Sequence, residues 1–397
     1  MLAPGATIGI LGGGQLGRMT AMAARSLGYR VQVMDPNPSC PARFVVDACF
    51  EGSWDDARAA TNLARGSDVV TLEIEQVALE CLETAARFAP VRPGAALLRI
   101  IQDRILQKDW LRDHGFPVGV YRAVHTESEL RTAVEELGGP CFLKTARGGY
   151  DGKGQAKIGF AEPRLDAQPL DEAALDAAVH EAWTVLGETD CIAERAIDFE
   201  REISVMVARA PNGEVKSFPS AWNHHERQIL AWSVIPSSIP ADLEARAQQI
   251  AADLTAALAV EGLLCVEMFL TRDGELLINE MAPRPHNSYH ASERACVTSQ
   301  FEQVVRAICD LPLGDVDLLR PCAIANLLGD LWIDRAPSRD RNNEEPRFDL
   351  ALEVPGVRLH LYEKHTPKPG RKMGHLSATG ATPQEAIDRV LKAQQRL

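Results

Sequence analysis

The chain has 397 residues, too many for one ordinary core, so two or three domains are expected. Its 46% hydrophobic and 24% charged content is that of a soluble globular protein and excludes a disordered or collagen-like chain. A net charge of −13 excludes a general nucleic-acid binder, which needs a basic face, and leaves room for a local cationic pocket. No apolar run approaches the roughly 20 residues that span a bilayer. The opening MLAPGATIGILGGGQ lacks the basic segment and cleavage site of a secretory leader. Nine cysteines without a CxxC pair read as small buried hydrophobes in a reducing compartment. A cytoplasmic α/β protein with no membrane partner is expected.

In chain order, Thr7–Leu11 reads as a buried strand, Arg18–Leu27 as a helix, and Arg30–Met34 and Asp68–Leu72 as further strands. Strand, helix, strand in this order implies right-handed crossovers and a parallel sheet. A boundary is expected near Arg92–Pro93–Gly94, followed by a helical stretch over Ala95–His114. Cys141–Thr145 and Ala156–Phe160 flank a glycine-rich loop, as in a hairpin-like flap. Ala161–Asp171 reads as a loop and Glu172–Leu186 as an amphipathic helix. Ile192–Ile197, Ile203–Ala208 and Lys216–Trp222 read as antiparallel strands, and Leu243–Leu258 as a helix. Leu263–Thr271 and Leu276–Glu280 form a hairpin turning at Asp273–Gly274. Asp334–Pro346 is loop-like, Val357–Glu363 alternates like a strand, and Pro383–Leu397 closes the chain as a helix.

Two glycine loops bear on chemistry. In GILGGGQLGRM, Gly12, Gly14 and Gly17 have the G-x-G-x-x-G spacing between a strand and a helix, with Asp35 ending the next strand. That arrangement suits a nicotinamide or flavin dinucleotide, whose pyrophosphate needs close backbone approach and whose ribose needs an acid. It equally suits tight helix–sheet packing or a pocket for another ligand. In the second loop, Lys144 precedes Gly148, Gly149, Gly152 and Gly154. A lysine beside a closable glycine flap meets the needs of a nucleoside triphosphate, a cation and unobstructed amides, without the spacing of a P-loop. An ordinary hairpin beside a surface lysine is the alternative.

Further on, Glu267 in CVEMF and Glu280 in LLINEMAP lie on neighbouring strands among apolar residues. Burying both unpaired would be costly, and a hard divalent cation relieves that cost while bridging phosphate oxygens. Asn279 adds an oxygen donor. Directly after comes APRPHNS, where two prolines stiffen a segment carrying Arg284, His286 and Asn287. These are candidates to hold a small oxyanion and stabilise a transferring phosphoryl group. Glu194 and Glu202 are weaker signals: the Glu194–Ile197 backbone could pair with a purine edge, and Glu202 could accept from a ribose.

With these residues in view, the chain resembles the N5-carboxyaminoimidazole ribonucleotide synthetase family of the ATP-grasp superfamily. The likeness runs through GILGGGQLGRM, DVVTLEIE, QDRILQK, FLKTARGGYDGKGQ, ERAIDFEREIS, LLINEMAPRPHNS and PKPGRKMGH. It implies a mixed α/β ATP-grasp fold with a Rossmann-like parallel-sheet domain over 1–103. An ATP-grasp domain over 104–310, with a lid at about 120–190, and a small C-terminal domain over 311–397 complete it. Implied nucleotide contacts are Arg104, Lys144, Gly149, Tyr150, Asp151, Gly152, Lys153, Gly154, Gln155, Glu194, Arg195, Ala196, Ile197, Glu202, His225, Asn279 and Glu280. Glu267 and Glu280 match magnesium (or manganese) ligands.

The resemblance also gives the first glycine loop a new meaning, as part of the acceptor pocket. Gln15, Leu16, Glu73, Glu75, Tyr150, Lys153, Lys364, Arg371 and Lys372 then bind 5-aminoimidazole ribonucleotide, the last three facing its phosphate. Departures from the family pattern are Tyr289 in place of glycine, Lys368 for arginine, Gln76 for asparagine or histidine, and Lys153 where some members carry arginine. Tyr289 is of most interest, being next to the expected oxyanion pocket.

The implied reaction is ATP-dependent carboxylation of the ribonucleotide with bicarbonate through carboxyphosphate. Arg284, His286, Asn287 and Lys144 act on the reacting groups, and the implied assembly is a homodimer. Its rivals are a formate-dependent glycinamide ribonucleotide transformylase of the same superfamily, a nicotinamide-dependent oxidoreductase, and a non-catalytic nucleotide-binding regulator.

Overall fold

The computed structural model describes residues 1–149, 154–159, 172–333 and 346–397. They fall into two compact units. One comprises Met1–Leu98, Ile203–Val266 and Met281–Leu397, the other Arg99–Glu202 and Glu267–Glu280.

The first unit opens with β1 (Thr7–Leu11), α1 (Gln15–Ser26), β2 (Arg30–Asp35), β3 (Ala48–Glu51), α2 (Ala57–Arg65), β4 (Val69–Leu72) and α3 (Leu79–Ala85). The strands lie in the order β3-β2-β1-β4, all parallel, as the alternating strand–helix pattern predicts. Every residue of TIGIL is buried. Helix α1 starts three residues earlier than its periodicity suggests, because Gly14 is its N-cap and the glycine loop feeds straight into it.

The expected long helix over Ala95–His114 is two helices, α4 (Ala95–Ile101) and α5 (Arg104–Asp113). Asp103 starts the second by accepting from the N–H groups of Ile105 and Leu106, a capping signal stronger than the continuous periodicity around it. In the second unit follow β5 (Tyr121–Val124), α6 (Glu127–Leu137), β6 (Cys141–Thr145), β7 (Gln155–Ile158), α7 (Glu172–Val185) and β8 (Cys191–Arg195). The strands form an antiparallel sheet in the order β5-β8-β6-β7. Leu130, Val134, Leu143, Ile158 and Trp183 share one buried cluster. The flap hairpin is present, with Lys144 opposite Gln155. Its tip, Tyr150–Lys153, and the expected loops at Ala161–Asp171 and 334–345 lie outside the described residues.

The rest of the chain supplies β9 (Phe199–Arg209), β10 (Val215–Ser217), β11 (Ala221–Glu226), β12 (Ile229–Ile235), α8 (Ala241–Ala257), β13 (Gly262–Thr271) and β14 (Leu276–Ala282). After them come α9 (Ser292–Ala295), α10 (Gln300–Ile308), β15 (Cys322–Leu328), α11 (Asp330–Ile333), α12 (Phe348–Leu352), β16 (Val357–Leu361), β17 (Lys372–Thr379) and α13 (Pro383–Gln394). The sheet order is β14-β13-β9-β11-β12-β15-β17-β16, with β10 on β9. Lys216–Trp222, expected as one strand, is broken between β10 and β11.

Strands β12, β15 and β17 have no counterpart in the sequence reading. Residues 322–327 of β15 and 373–379 of β17 are all buried, so polar residues do not alternate with apolar ones to mark them. Lys372 is the first residue of β17. Eight of the nine cysteines are buried and Cys49 is half-buried, all as free thiols.

Candidate active site

In the second unit, a lysine–glutamate–lysine group is built from three elements. Lys144 ends β6, Glu194 lies across the sheet on β8, and Lys108 projects from α5. The Glu194 carboxylate accepts from Lys144 through Oε2 and meets Lys108 Nζ at 3.0 Å through Oε1. Lys108 is 5% exposed and also donates to the Ile278 carbonyl at 3.0 Å. Burial pushes the Glu194 carboxyl up, but the two ammonium groups outweigh it and hold it at about 2. Burial in turn lowers Lys108, with Glu194 opposing the shift. Sequence reading missed Lys108, although it stands four residues after Arg104 on one helix and so shares its face.

Arg104 anchors the base of the flap, donating to the carbonyls of Thr145 at 3.0 Å and Gly149 at 2.8 Å. The Thr145 N–H donates to Gly154, whose φ of +70° suits glycine. The structure thus gathers Arg104, Lys144, Gly149, Gly154, Gln155 and Glu194 around one hairpin. Tyr150, Asp151, Gly152 and Lys153 lie outside the described residues.

The backbone amides of Arg195 and Ala196 are engaged within the second unit. Their N–H groups donate to the carbonyls of Val120 and Pro140 at 3.0 and 2.8 Å, because β8 ends against those two segments. Ile197 and Glu202 are half-buried.

Nor are both acids of the β13–β14 hairpin buried. Glu267 is half-buried and Glu280 exposed. Water can therefore solvate them, and the case for a metal rests on their chemistry as hard oxygen donors, with half-buried Asn279 beside them.

In the first unit, the glycine loop is closed by the protein's own carboxylates. Glu73 accepts from Gly14 N–H at 2.5 Å and Gly17 N–H at 2.6 Å, and Asp35 accepts from Gly13 N–H at 2.8 Å. Glu73 thus fills the positive end of α1, where a dinucleotide's pyrophosphate would lie. Gly12 has φ +112°, and a Cβ there would stand 2.2 Å from Glu73 Cγ. The spacing therefore serves close approach of a side chain, and the nicotinamide reading falls. Burial raises the Glu73 carboxyl, the two backbone N–H groups pulling it back.

Gln15 accepts from Lys364 Nζ, which also donates to the Lys372 carbonyl at 2.8 Å. The Leu16 side chain packs with Met19, Phe301 and Tyr362. Arg371 donates to the Thr366 carbonyl at 2.7 Å.

Glu75 pairs with Arg284 at 2.8 Å. His286 is held well below the usual imidazole value by burial first, then by Arg284, Lys372 and His225, so the ring is neutral in a positive surrounding. Beside it, Asn287 is 6% exposed, and neither its amide oxygen nor its nitrogen has a partner among the described residues. A buried bare amide next to an arginine and a neutral histidine can receive a small polar guest. Tyr289 does not face that pocket. It is fully buried, with its hydroxyl donating to the carbonyls of Ser204 at 2.8 Å and Pro219 at 3.0 Å.

Three family models cover most of the chain. Residues 5–102 match the ribonucleotide synthetase preATP-grasp domain, 109–301 the ATP-grasp domain, and 322–389 the phosphoribosylaminoimidazole carboxylase C-terminal domain. The N5-carboxyaminoimidazole ribonucleotide synthase of Bacillus subtilis (strain 168) is 42% identical over 374 residues, 94% of this chain and 91% of that protein. The crystal structure of an ADP complex of such a synthetase is 40% identical, with a TM-score of 0.88, over 99% of this chain and 97% of that one. The Aspergillus clavatus synthase in complex with ADP and 5-aminoimidazole ribonucleotide is 31% identical, with a TM-score of 0.86, over 99% of both chains. The chain belongs to the N5-carboxyaminoimidazole ribonucleotide synthase family of ATP-grasp enzymes.

Proposed function

We propose that this chain is an ATP-dependent C–N ligase that carboxylates 5-aminoimidazole ribonucleotide with bicarbonate, yielding N5-carboxyaminoimidazole ribonucleotide, ADP and phosphate. A bicarbonate oxygen attacks the γ-phosphorus and ADP leaves, giving carboxyphosphate. The exocyclic amine then attacks the carboxyl carbon, or the CO2 it releases, and phosphate departs. The observation that carries this reading is the buried amide of Asn287, without a partner among the described residues, close in sequence to Arg284 and His286. A planar oxyanion can accept from its NH2 group, and a bicarbonate hydroxyl can donate to its oxygen.

In the second unit, Lys144 neutralises phosphate charge, Arg104 sets the flap base, and Gly149 to Gln155 close over the triphosphate to exclude water from a hydrolysable intermediate. Glu194 through Ile197, with Glu202 and Asn279, hold the nucleoside. Glu267 and Glu280 suit Mg2+ or Mn2+, which when bound neutralises phosphate oxygens as charge moves. In the first unit, Gln15, Leu16, Glu73 and Glu75 line the acceptor side. Lys364, Arg371 and Lys372 meet its phosphate. A homodimeric, cytoplasmic enzyme belongs to the same reading, and light scattering tests the former.

The deciding assay is ADP release with each acceptor, with and without bicarbonate. Turnover must require 5-aminoimidazole ribonucleotide and bicarbonate together, whereas stimulation by formate and glycinamide ribonucleotide would reverse the assignment. Glu280→Gln is expected to abolish ATP turnover with an unchanged circular dichroism spectrum, and retained turnover would sink the metal assignment. Asn287→Ala is expected to lower kcat about 10²-fold, the loss typical of one oxyanion donor.

A further inference from the structure

Two histidines and a glutamate meet in the first unit among residues to which the proposed reaction gives no role. His360 and His375 face each other across β16 and β17 as a register pair, their rings stacked at 5.1 Å and 13°. Glu293 on α9 completes the group, so that one ligating atom from each of the three lies within 4.8 Å of the others. We propose that Glu293, His360 and His375 form a second metal site, for a divalent transition ion of the zinc class.

The donor set suits that class. Imidazole nitrogens select zinc, nickel, cobalt and copper over magnesium, and a carboxylate adds the negative charge. A cross-strand pair brings two side chains together at little entropic cost, since the sheet already fixes their spacing. The surroundings supply orientation. The hydroxyl of Tyr362, itself fully buried, lies 2.8 Å from His375 Nδ1. When that nitrogen carries the proton and donates to Tyr362, Nε2 is left as the ligating atom.

His290 stacks on His375 at 4.9 Å and is 1% exposed, with its Nε2 lacking a partner among the described residues. A buried polar nitrogen without a partner beside a metal-type donor set points to an unassigned ligand. Access is open as well, because Glu293 and His360 line a cavity of about 280 Å³ together with Met19, Ala23, Ser299 and Phe301. Three protein donors and a cavity leave a further coordination position for water. The charges of Arg18, acting on His360, and Arg358, acting on Glu293, oppose a cation, so the site is weaker than an isolated set of the same donors.

The test uses the full chain, stripped with chelator and titrated with Zn2+ in the presence of excess Mg2+. One Zn2+ equivalent is expected to bind against a chromophoric competitor. His360→Gln and Glu293→Gln, both at positions with solvent access, are each expected to weaken it about tenfold or more. Co2+ substituted into the same site is expected to give a visible absorption band that His360→Gln removes. ATP turnover with Mg2+ should be the same in both variants as in the unaltered chain, which separates this site from the proposed catalytic one. Failure of the unaltered chain to bind Zn2+ overturns the proposal. So does equal binding by both variants, which would assign the ion to the cysteines or elsewhere.

Discussion

Glu194 and Glu73 are both enclosed carboxylates, yet they are held by different means. In the second unit, Glu194 has two full positive charges, Lys108 and Lys144, and its carboxyl is held at about 2. In the first, Glu73 has two backbone N–H groups at the start of a helix, and burial keeps its carboxyl above the ordinary value. Partial charges satisfy the hydrogen-bonding capacity of a carboxylate without fully replacing its hydration, whereas paired ammonium groups overcompensate. The former therefore organises a loop, and the latter fixes a cationic array.

The sharpest way to break this contrast is Lys108→Met, which keeps length and removes one charge. Loss of about 3 kcal/mol of stability at neutral pH is expected, since a buried pair loses one partner, and urea denaturation reads it. The sign of the pH dependence follows. Because the folded value of Glu194 lies below its ordinary 4.5, its contribution is present above 4.5 and is lost as pH falls toward 2. That acid limb should flatten in the variant, and an unchanged limb would remove Lys108 from the account.

Next in size is Gly17→Ala. Its Cβ would meet the Gly12 carbonyl oxygen at 2.4 Å, and the backbone there has nowhere to yield without breaking the hold on Glu73. A destabilisation of about 2 kcal/mol is expected, with a higher KM for the ribonucleotide than for ATP.

The smallest effect belongs to Glu73→Gln. The amide can accept from one of the two N–H groups and opposes the other with a donor of its own, but it removes an enclosed charge. A net loss of about 1 kcal/mol is expected at neutral pH. Since the folded Glu73 value is raised, the unaltered chain loses stability as pH rises above the ordinary carboxyl range, and the variant should lack that slope. A slope kept in the variant would mean that another group titrates there.

Much of the fold was legible in the sequence. TIGIL and CFLKT were readable as strands because they are short apolar runs bounded by turn residues, and the flap hairpin because glycines punctuate it. The Asp103 cap was present in the sequence but outweighed by the apolar periodicity on either side, which joined two helices into one. Strands β15 and β17 were hidden, since a strand buried on both faces carries no alternation. In the site, Lys144, Glu194 and Arg284 were found through their neighbours in sequence. Lys108, whose partners Glu194 and Ile278 are 86 and 170 residues away, was not.

The sequence by itself determined the family, the parallel opening sheet and the set of charged residues available for nucleotide chemistry. Those follow from local periodicity and from motifs in a fixed order. Only tertiary structure decided what each charge faces: that Glu73 fills the glycine loop, that Glu194 stands between two lysines, that Asn287 is left bare, and that Tyr289 points into the core. Hydrogen-bond satisfaction and desolvation are set by atoms distant in the chain, and no local pattern encodes them.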